Sequence, residues 1–496
     1  MSHSRAYAVP AVLALWLAMN AAASAAETVG PLSDIAAINK ALAAARPGDT
    51  ILIRNGAYPG DVRIVMTAEG EKDKPITLAA QTPGKVLFTG TSRITLAGNY
   101  LHLTGMFFHK NQILMVVRFQ QANHCRLSHC AFNESGDPNS TFTKIVEVGV
   151  DSHDNEIDHC YFARSISMSV GVRGGALRPN IHHNWFRDIV ARASNGQEAV
   201  QLGGPPNLGD RPLKPEEWNL HSTVEHNLFD GACGDEEIIS VKSSDNVIRY
   251  NTFLGHPTAN KGGLCIRHGH RNVVESNTFL GTAYGVRISG DENVLINNYL
   301  ENVGSGFVLT AGGTKNKPYI PCRNGLFANN TVVDAAVSPF MVGAFYNMPD
   351  IRDPENSITV YPSGNRICNN ILTGKKDYAI VWDRGDPKKS ELGSNEFQNN
   401  LGFCARAKKV EDMKLPTGVT GEDPKLTTGG GRARPGQGSP AIGKGMVLAQ
   451  VKDEVNEGAS LSQSLSHFPQ VFQPFYVNLV RAGEASGTLN LVLERL

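Results

Sequence analysis

Between Leu52 and Leu401 apolar and polar residues alternate over runs of about four positions, each closed by a turn residue, and helical periodicity is largely absent. A period of two puts successive side chains on opposite faces, so these runs predict short strands separated by tight bends. One run recurs: NEIDHCYF from Asn155, STVEHNLF from Ser222, NVIRYNTF from Asn246, NVVESNTF from Asn272, NVLINNYL from Asn293, NGLFANNT from Asn324 and NRICNNIL from Asn365. Its sixth position is usually asparagine. Taken as a marker, that position gives Cys130, Cys160, Asn184, Asn227, Asn251, Asn277, Asn298, Asn329 and Asn370, with spacings of 30, 24, 43, 24, 26, 21, 31 and 41 residues. Most are one rung of a solenoid; the two long ones imply an extra rung or a long excursion. In a coil of parallel strands equivalent positions stack, asparagine on asparagine where the amide satisfies turn backbone groups, and phenylalanine on phenylalanine in the core. Phe132, Phe162, Phe186, Phe229, Phe253 and Phe279 recur with the marker. The pattern predicts an all-β chain, a right-handed parallel β-helix solenoid from about Gly48 to Gly402, inside a domain of residues 26–445.

The ends call for different devices. Ile35, Ile38 and Leu42 lie at helical spacing on one face and predict an N-terminal capping helix over the first rung, whose bare edge would otherwise template aggregation. The following DTILIRNGAY is expected to start the first strand. Ahead of the cap, Arg5, the apolar stretch Val9–Ala18 and the small residues Ala23, Ser24 and Ala25 read as a signal peptide over residues 1–25, so a periplasmic or secreted protein is expected. That stretch is shorter than the ~20 residues of a spanning helix, and no stable membrane insertion is expected. From Val447 onward the pattern turns helical, which predicts a short helical tail over residues 446–496.

Lysine plus arginine equals aspartate plus glutamate at 47 each, so no global basic field recommends a nucleic-acid partner, and attraction for any polyanion has to be local. A monomer is expected. The eight cysteines match no CxxC metal spacing; Cys130, Cys160 and Cys368 fall inside the repeat and read as small core residues, with a Cys130–Cys160 bond left open.

Two adjacent rungs, GDEEIISVKSSDNVIRYNTF and GGLCIRHGHRNVVESNTF, break the bland pattern with charge. Lys242 precedes marker Asn251 by nine residues and Arg267 precedes marker Asn277 by ten, offsets that would stack two cations on neighbouring strands about 4.8 Å apart. Like charges repel, so such a stack needs a reason. Asp235 and Glu237 alternate on the strand expected to lead into Lys242, share one face and offer oxygen to a hard cation, with Glu236 pointing elsewhere.

The run EIISVKSS with its downstream RHG resembles polysaccharide lyase family 6, the group containing chondroitinase B and many alginate lyases. GKVLFTGTSRITLAGNYLHLTGMFF from Gly84, NEIDHCYF, NGQEAVQLG from Asn195 and YGVRISGDENVLINN from Tyr284 agree with it. The resemblance implies a calcium-assisted lyase acting on an anionic polysaccharide, with Lys242 as Brønsted base, Arg267 as acid or charge stabiliser, and Asn195, Asp235 and Glu237 around Ca2+. His268 and Arg287 are the candidate substrate contacts, His268 only if a bend at Gly269 turns it toward the substrate. Two departures stand out: Asp235 occupies a position that looks like glutamate in the relatives, and GGPPNLGDRPLKPEEW from Gly203 looks like an insertion. The chemistry suits these residue types. A uronate carboxylate resists further negative charge as the C5 proton leaves, so calcium and arginine must neutralise it, and both disfavour an ammonium on the neighbouring lysine. A mannuronan C5-epimerase, or a non-catalytic carbohydrate-binding β-helix, remains open at this point, as does dermatan sulfate against alginate. The tail, with its phrase VRAGEASG, resembles part of the cytoplasmic region of the inner-membrane platform protein of type II secretion or pilus systems and reads as a fusion remnant.

Overall fold

The computed structural model describes residues 26–204, 219–313, 320–344, 359–375, 380–383, 394–413, 415–429, 431–445, 459–466 and 474–487. The expected signal peptide, residues 205–218 of the expected insertion and much of the expected tail lie outside the described residues. Among the described residues three long sheets of 14, 14 and 12 strands run parallel, and one turn of the coil visits each sheet once. Around the site that turn comprises Val247–Arg249 in the first sheet, Thr252–Leu254 in the second and Leu264–His268 in the third, 12-stranded sheet. The chain is a parallel β-helix.

Its core is built from vertical columns. Phe132, Phe162, Phe186, Phe229, Phe253 and Phe279 pair in register from rung to rung. Their rings stack with centroids 4.4 to 4.9 Å apart, and Phe88 and Phe108 extend the column toward the N-terminus. The asparagine column holds the corner between the first two sheets. Asn251 Oδ1 accepts from the backbone N–H and the Nδ2 of Asn227, while its own Nδ2 donates to the Val224 carbonyl and to Asn277 Oδ1. Each such amide therefore ties three successive rungs and pairs the buried N–H of the corner before it.

The structure corrects the column at one place. Asn330, and not Asn329, accepts from Asn298 and donates to Asn370, and Asn400 adds a further rung. Asn329 is the left-handed residue just before the column, as are His226, Tyr250, Ser276, Asn297 and Asn369 on their own rungs. The NGLFANNT repeat was therefore framed one residue early. The two long spacings are single rungs with excursions: Asn180–His182 pairs directly with Thr223–Glu225, and Leu326–Ala328 with Arg366–Cys368.

At the N-terminus Ile38 and Leu42 of helix Ile35–Ala44 are fully buried, and the Asp34 carboxylate caps the helix by accepting from the Ala37 N–H. The expectation that Thr50 starts the first strand is corrected: Thr28–Leu32 precedes the helix and pairs in parallel with Thr50–Ile53. The coil also runs past Gly402, to the pairing of Val419–Thr420 with Asn400–Leu401. All eight cysteines are buried free thiols, so Cys130 and Cys160 form no bond. In the tail, Leu461–Ser466 and Pro474–Ser486 are helical, and Glu484 accepts from the Ser462 N–H. No described helix is long and apolar enough to cross a membrane.

Asn277→Ala removes the amide that links Asn251, Ile248 and Asn298 and orphans their corner groups. A loss of about 2–4 kcal/mol is expected, against about 3–5 kcal/mol for Phe253→Ala, both read from denaturant unfolding curves.

Candidate functional site

The outward face of the third sheet carries the charge. In Ile239–Lys242 the side chains of Ile239 and Val241 enter the core, which turns Ser240 and Lys242 outward. Val241 pairs with Ile266, but the next pair is Lys242 with His268, because the register shifts between them. The expected stacking of Lys242 on Arg267 is thus replaced by a β-bulge in which Arg267 and His268 together oppose Lys242, and the strand is not the regular one that would turn His268 away. Gly269 ends the bulge with φ +139, and a Cβ there would lie 1.9 Å from the Ser243 carbonyl oxygen, so only glycine fits. His268 is half-buried; burial first, then Arg267 and Lys242, lower its imidazole to about 4 and keep it neutral near pH 7.

Carboxylates face these cations. Lys242 Nζ lies 3.6 Å from Glu198 Oε1, and Arg267 Nη1 lies 3.9 Å from Glu237 Oε1, the oxygen that also takes an ion pair from Arg287. Arg287 stacks in register on Cys265 rather than on Arg267, and its Nε donates to Cys265 Sγ at 3.1 Å. Glu237 holds it on the outward face, one strand beyond Arg267. The segment carrying Asp235 and Glu237 is a bend, not the expected strand, which begins only at Ile239. The alternation survives all the same: Asp235 and Glu237 are 5% and 4% exposed, while Glu236 is exposed and pairs with Lys261.

Glu198, 3% exposed, is the residue that sequence reasoning missed. Its signal was the NGQEAVQLG motif itself, three positions after Asn195. Gln197 fixes this segment, donating to the Ser165 and Val190 carbonyls and accepting from the Arg192 N–H. Asn195 sits at the solvent edge, where its Oδ1 accepts from the Gly196 N–H, the same amide that faces the Asp235 carboxylate.

The electrostatics of Glu198, Asp235 and Glu237 are unbalanced. Each has one buried oxygen without a hydrogen-bond partner: Glu198 Oε2, Asp235 Oδ2 and Glu237 Oε2. Burial, then Glu198 and Glu237, raise the Asp235 carboxyl to about 6. Three buried carboxylates with unpaired oxygens suit a hard divalent cation, which would supply the missing charge and accept oxygen ligands. Two tighter groups with donor atoms within 4.8 Å of one another, His124–His153–Asp154 and Glu156–Asp158–His182, lie elsewhere. Their aspartates are already bound by both nitrogens of an arginine fork, Arg178 and Arg126 respectively.

Residues 32–420 match the chondroitinase B family. The chain belongs to that family. Among solved structures it resembles the PL6 family alginate lyase AlyGC, with 26% identity and a TM-score of 0.69, over 86% of this chain and 57% of that one. It also resembles the PL6 family polysaccharide lyase Pedsa3628 from Pseudopedobacter saltans, with 25% identity and a TM-score of 0.65, over 81% of this chain and 98% of that one. A mannuronic acid specific family 6 lyase from human gut microbiota gives 25% identity and a TM-score of 0.63, over 80% and 91% of the two chains. The tail, residues 445–496, matches type II secretion system protein F. Over 50 residues it is 50% identical to the type IV pilus assembly protein PilC of Thermus thermophilus and 48% identical to type II secretion system protein F of Vibrio cholerae, and the chain spans 12% of the length of each.

A further lysine reaches this face through a gap. Gly171 occupies the outward row between Glu147 and Gln201, and a Cβ there would lie 2.3 Å from Lys144 Cγ and 2.9 Å from Lys144 Cε. The lysine stem therefore lies across the glycine. Gly171→Ala is expected to cost about 1–3 kcal/mol by overpacking, and most of that cost is expected to vanish in a Lys144→Ala background, as a double-mutant cycle of melting curves would read out.

Proposed function

We propose that this chain is a polysaccharide lyase that cleaves a uronic-acid polymer, alginate in the first instance, by β-elimination in the periplasm or outside the cell. The observation that carries the proposal is the bulge opposite Lys242, beside three buried carboxylates with unpaired oxygens, in a chain of the chondroitinase B family. Lys242 is the base that takes the C5 proton, and Glu198 Oε1, 3.6 Å away, holds its amine in place. Arg267, presented by the bulge, faces the charge that develops on the uronate; the C5–H electron pair becomes the C4=C5 double bond as the C4–O bond breaks, and the leaving oxygen takes a proton from water. His268, neutral, offers a hydrogen bond to the sugar without adding a competing charge. Glu198, Asp235 and Glu237, with Asn195 at the edge, are the residues that would hold calcium. A bound calcium ion supplies positive charge to the substrate carboxylate. The named relatives support the substrate class, since AlyGC is described as an alginate lyase and the gut enzyme as mannuronic acid specific.

Incubation with polymannuronate, polyguluronate and dermatan sulfate, followed by ultraviolet absorbance of unsaturated ends, tests the reading. Absorbance should rise with alginate blocks and fall away after chelation. Epimerisation creates no unsaturated product, so a change in uronate composition without absorbance would replace lyase by epimerase. Lys242→Ala and Lys242→Arg should each lose at least about a thousandfold in turnover, because guanidinium cannot shed its proton at working pH. Wild-type cleavage by Lys242→Arg would assign the proton to another residue.

Asp235 gives a pH prediction. With its folded carboxyl raised to about 6 from an ordinary 3.8, the folded state binds more protons than the unfolded chain between these values. In the absence of divalent cation this group's contribution to stability falls as pH rises through that window. Calcium should therefore raise the melting temperature more at pH ~7.5 than at pH ~4.5. An equal shift at both pH values would place the ion away from Asp235.

A further inference from the structure

The outward face of the third sheet stays cationic far from Lys242, on its N-terminal side. Arg63 and Arg93 are register partners on adjacent strands, and both point outward because Ile64 and Ile94 enter the core. On the next strand Arg118 also points outward, flanked by the core residues Val117 and Phe119. Arg173 and Lys144 follow toward the site. These five cations face three acids: Asp61, which pairs with Arg63, Glu147, which lies 3.4 Å from Arg118 Nε and 2.7 Å from Arg173 Nε, and Glu198, which acts on Lys144 as well as on Lys242. Arg118 Nε is buried and makes no hydrogen bond. Burial, then Arg63 and Arg118, weaken the hold of Arg93 on its proton, and Glu147 and Asp61 offset this only in part, so Arg93 is repelled from both sides.

A chain with equal numbers of acidic and basic residues has no general excess of positive charge to spread here. Arg63 and Arg93 stand in register, Arg118 is level with Thr95 and Glu147, and cations gathered on neighbouring strands raise one another's energy unless anions lie along them. The strands of Arg63 and Lys242 are six steps apart in the sheet, roughly 29 Å at about 4.8 Å per step. We propose that Arg63, Arg93 and Arg118 form a distal track for a long polyuronate, which lies along the helix axis and reaches Lys242 only at its far end. The track rests on the lyase reading for the identity of its ligand, and it makes the protein selective for long chains over short ones.

Binding is measured with the Lys242→Ala protein, so that cleavage plays no part, using uronate disaccharides and decasaccharides, with neutral dextran as control. Arg93→Gln combined with Arg118→Gln should weaken decasaccharide binding on the order of tenfold and leave disaccharide binding unchanged. Arg93→Lys combined with Arg118→Lys should restore most of it, and added salt should shrink the difference. Unchanged decasaccharide binding, an equal loss for both lengths, or equal affinity for dextran would each overturn the track. The lyase reading fails separately, when the wild-type protein makes no unsaturated ends from any uronate polymer, and length-dependent binding then still decides the track on its own.

Discussion

The fixed register between successive rungs is the constraint on which everything else in this molecule depends. Parallel strands about 4.8 Å apart leave no freedom to slide, since a one-residue slip would exchange the core face for the solvent face. Two kinds of column enforce it. Stacked phenylalanines such as Phe253 and Phe279 fill the interior, and asparagines such as Asn251 and Asn277 lock the corner through both halves of the amide. A second asparagine column, Asn246, Asn272 and Asn293, repeats the device at the other end of the first sheet. An amide suits the position because it donates and accepts at once, so each rung satisfies the next without a water molecule.

A scaffold this regular pays for chemistry with local disorder in its electrostatics. Burying Glu198, Asp235 and Glu237 costs solvation, and the two glutamates recover part of it by placing one oxygen on a cation. Their other oxygens, and Asp235 Oδ2, recover none. The unpaired carboxylate oxygens gather where Asn195–Glu198 and Asp235–Ile238 run irregularly between strands. Irregular backbone is where a coil of identical rungs can turn polar groups inward without breaking its columns.

The columns were legible in the sequence because equivalent positions are chemically uniform and spaced by one rung. Legibility failed in the rung where Gly325 takes the place that Asn293 and Asn365 hold on either side, so that Asn324 offered a false start to the repeat. Asn329 is left-handed and exposed while Asn330 is buried in the column, a difference that the letters alone do not carry. Strand Thr28–Leu32 was missed because a single edge strand has no second copy to match. The candidate site divides the same way. Asp235, Glu237, Lys242 and Arg267 stood out as charges in an apolar run, whereas Glu198 lay within a motif already noted for Asn195. Lys144 was invisible, because its reach depends on the absence of a side chain at Gly171, on the next rung.

The bulge at Arg267 follows from the same rigidity. On adjacent strands held in register, outward side chains leave the sheet parallel, about 4.8 Å apart, one from each strand at each level. A bulge lets one strand present two residues where its neighbour presents one. Leu264–His268 carries such a bulge, and Gly269 absorbs the resulting bend in a space that has no room for a Cβ. Arg267 and His268 then oppose Lys242 together, one charged and one neutral. In the proposed elimination the cation faces the developing anion, and the neutral ring can donate without drawing the carboxylate away from it. An in-register strand would place one of the two on the wrong face, so the extra residue is the minimum departure from regularity that sets Arg267 and His268 together opposite Lys242.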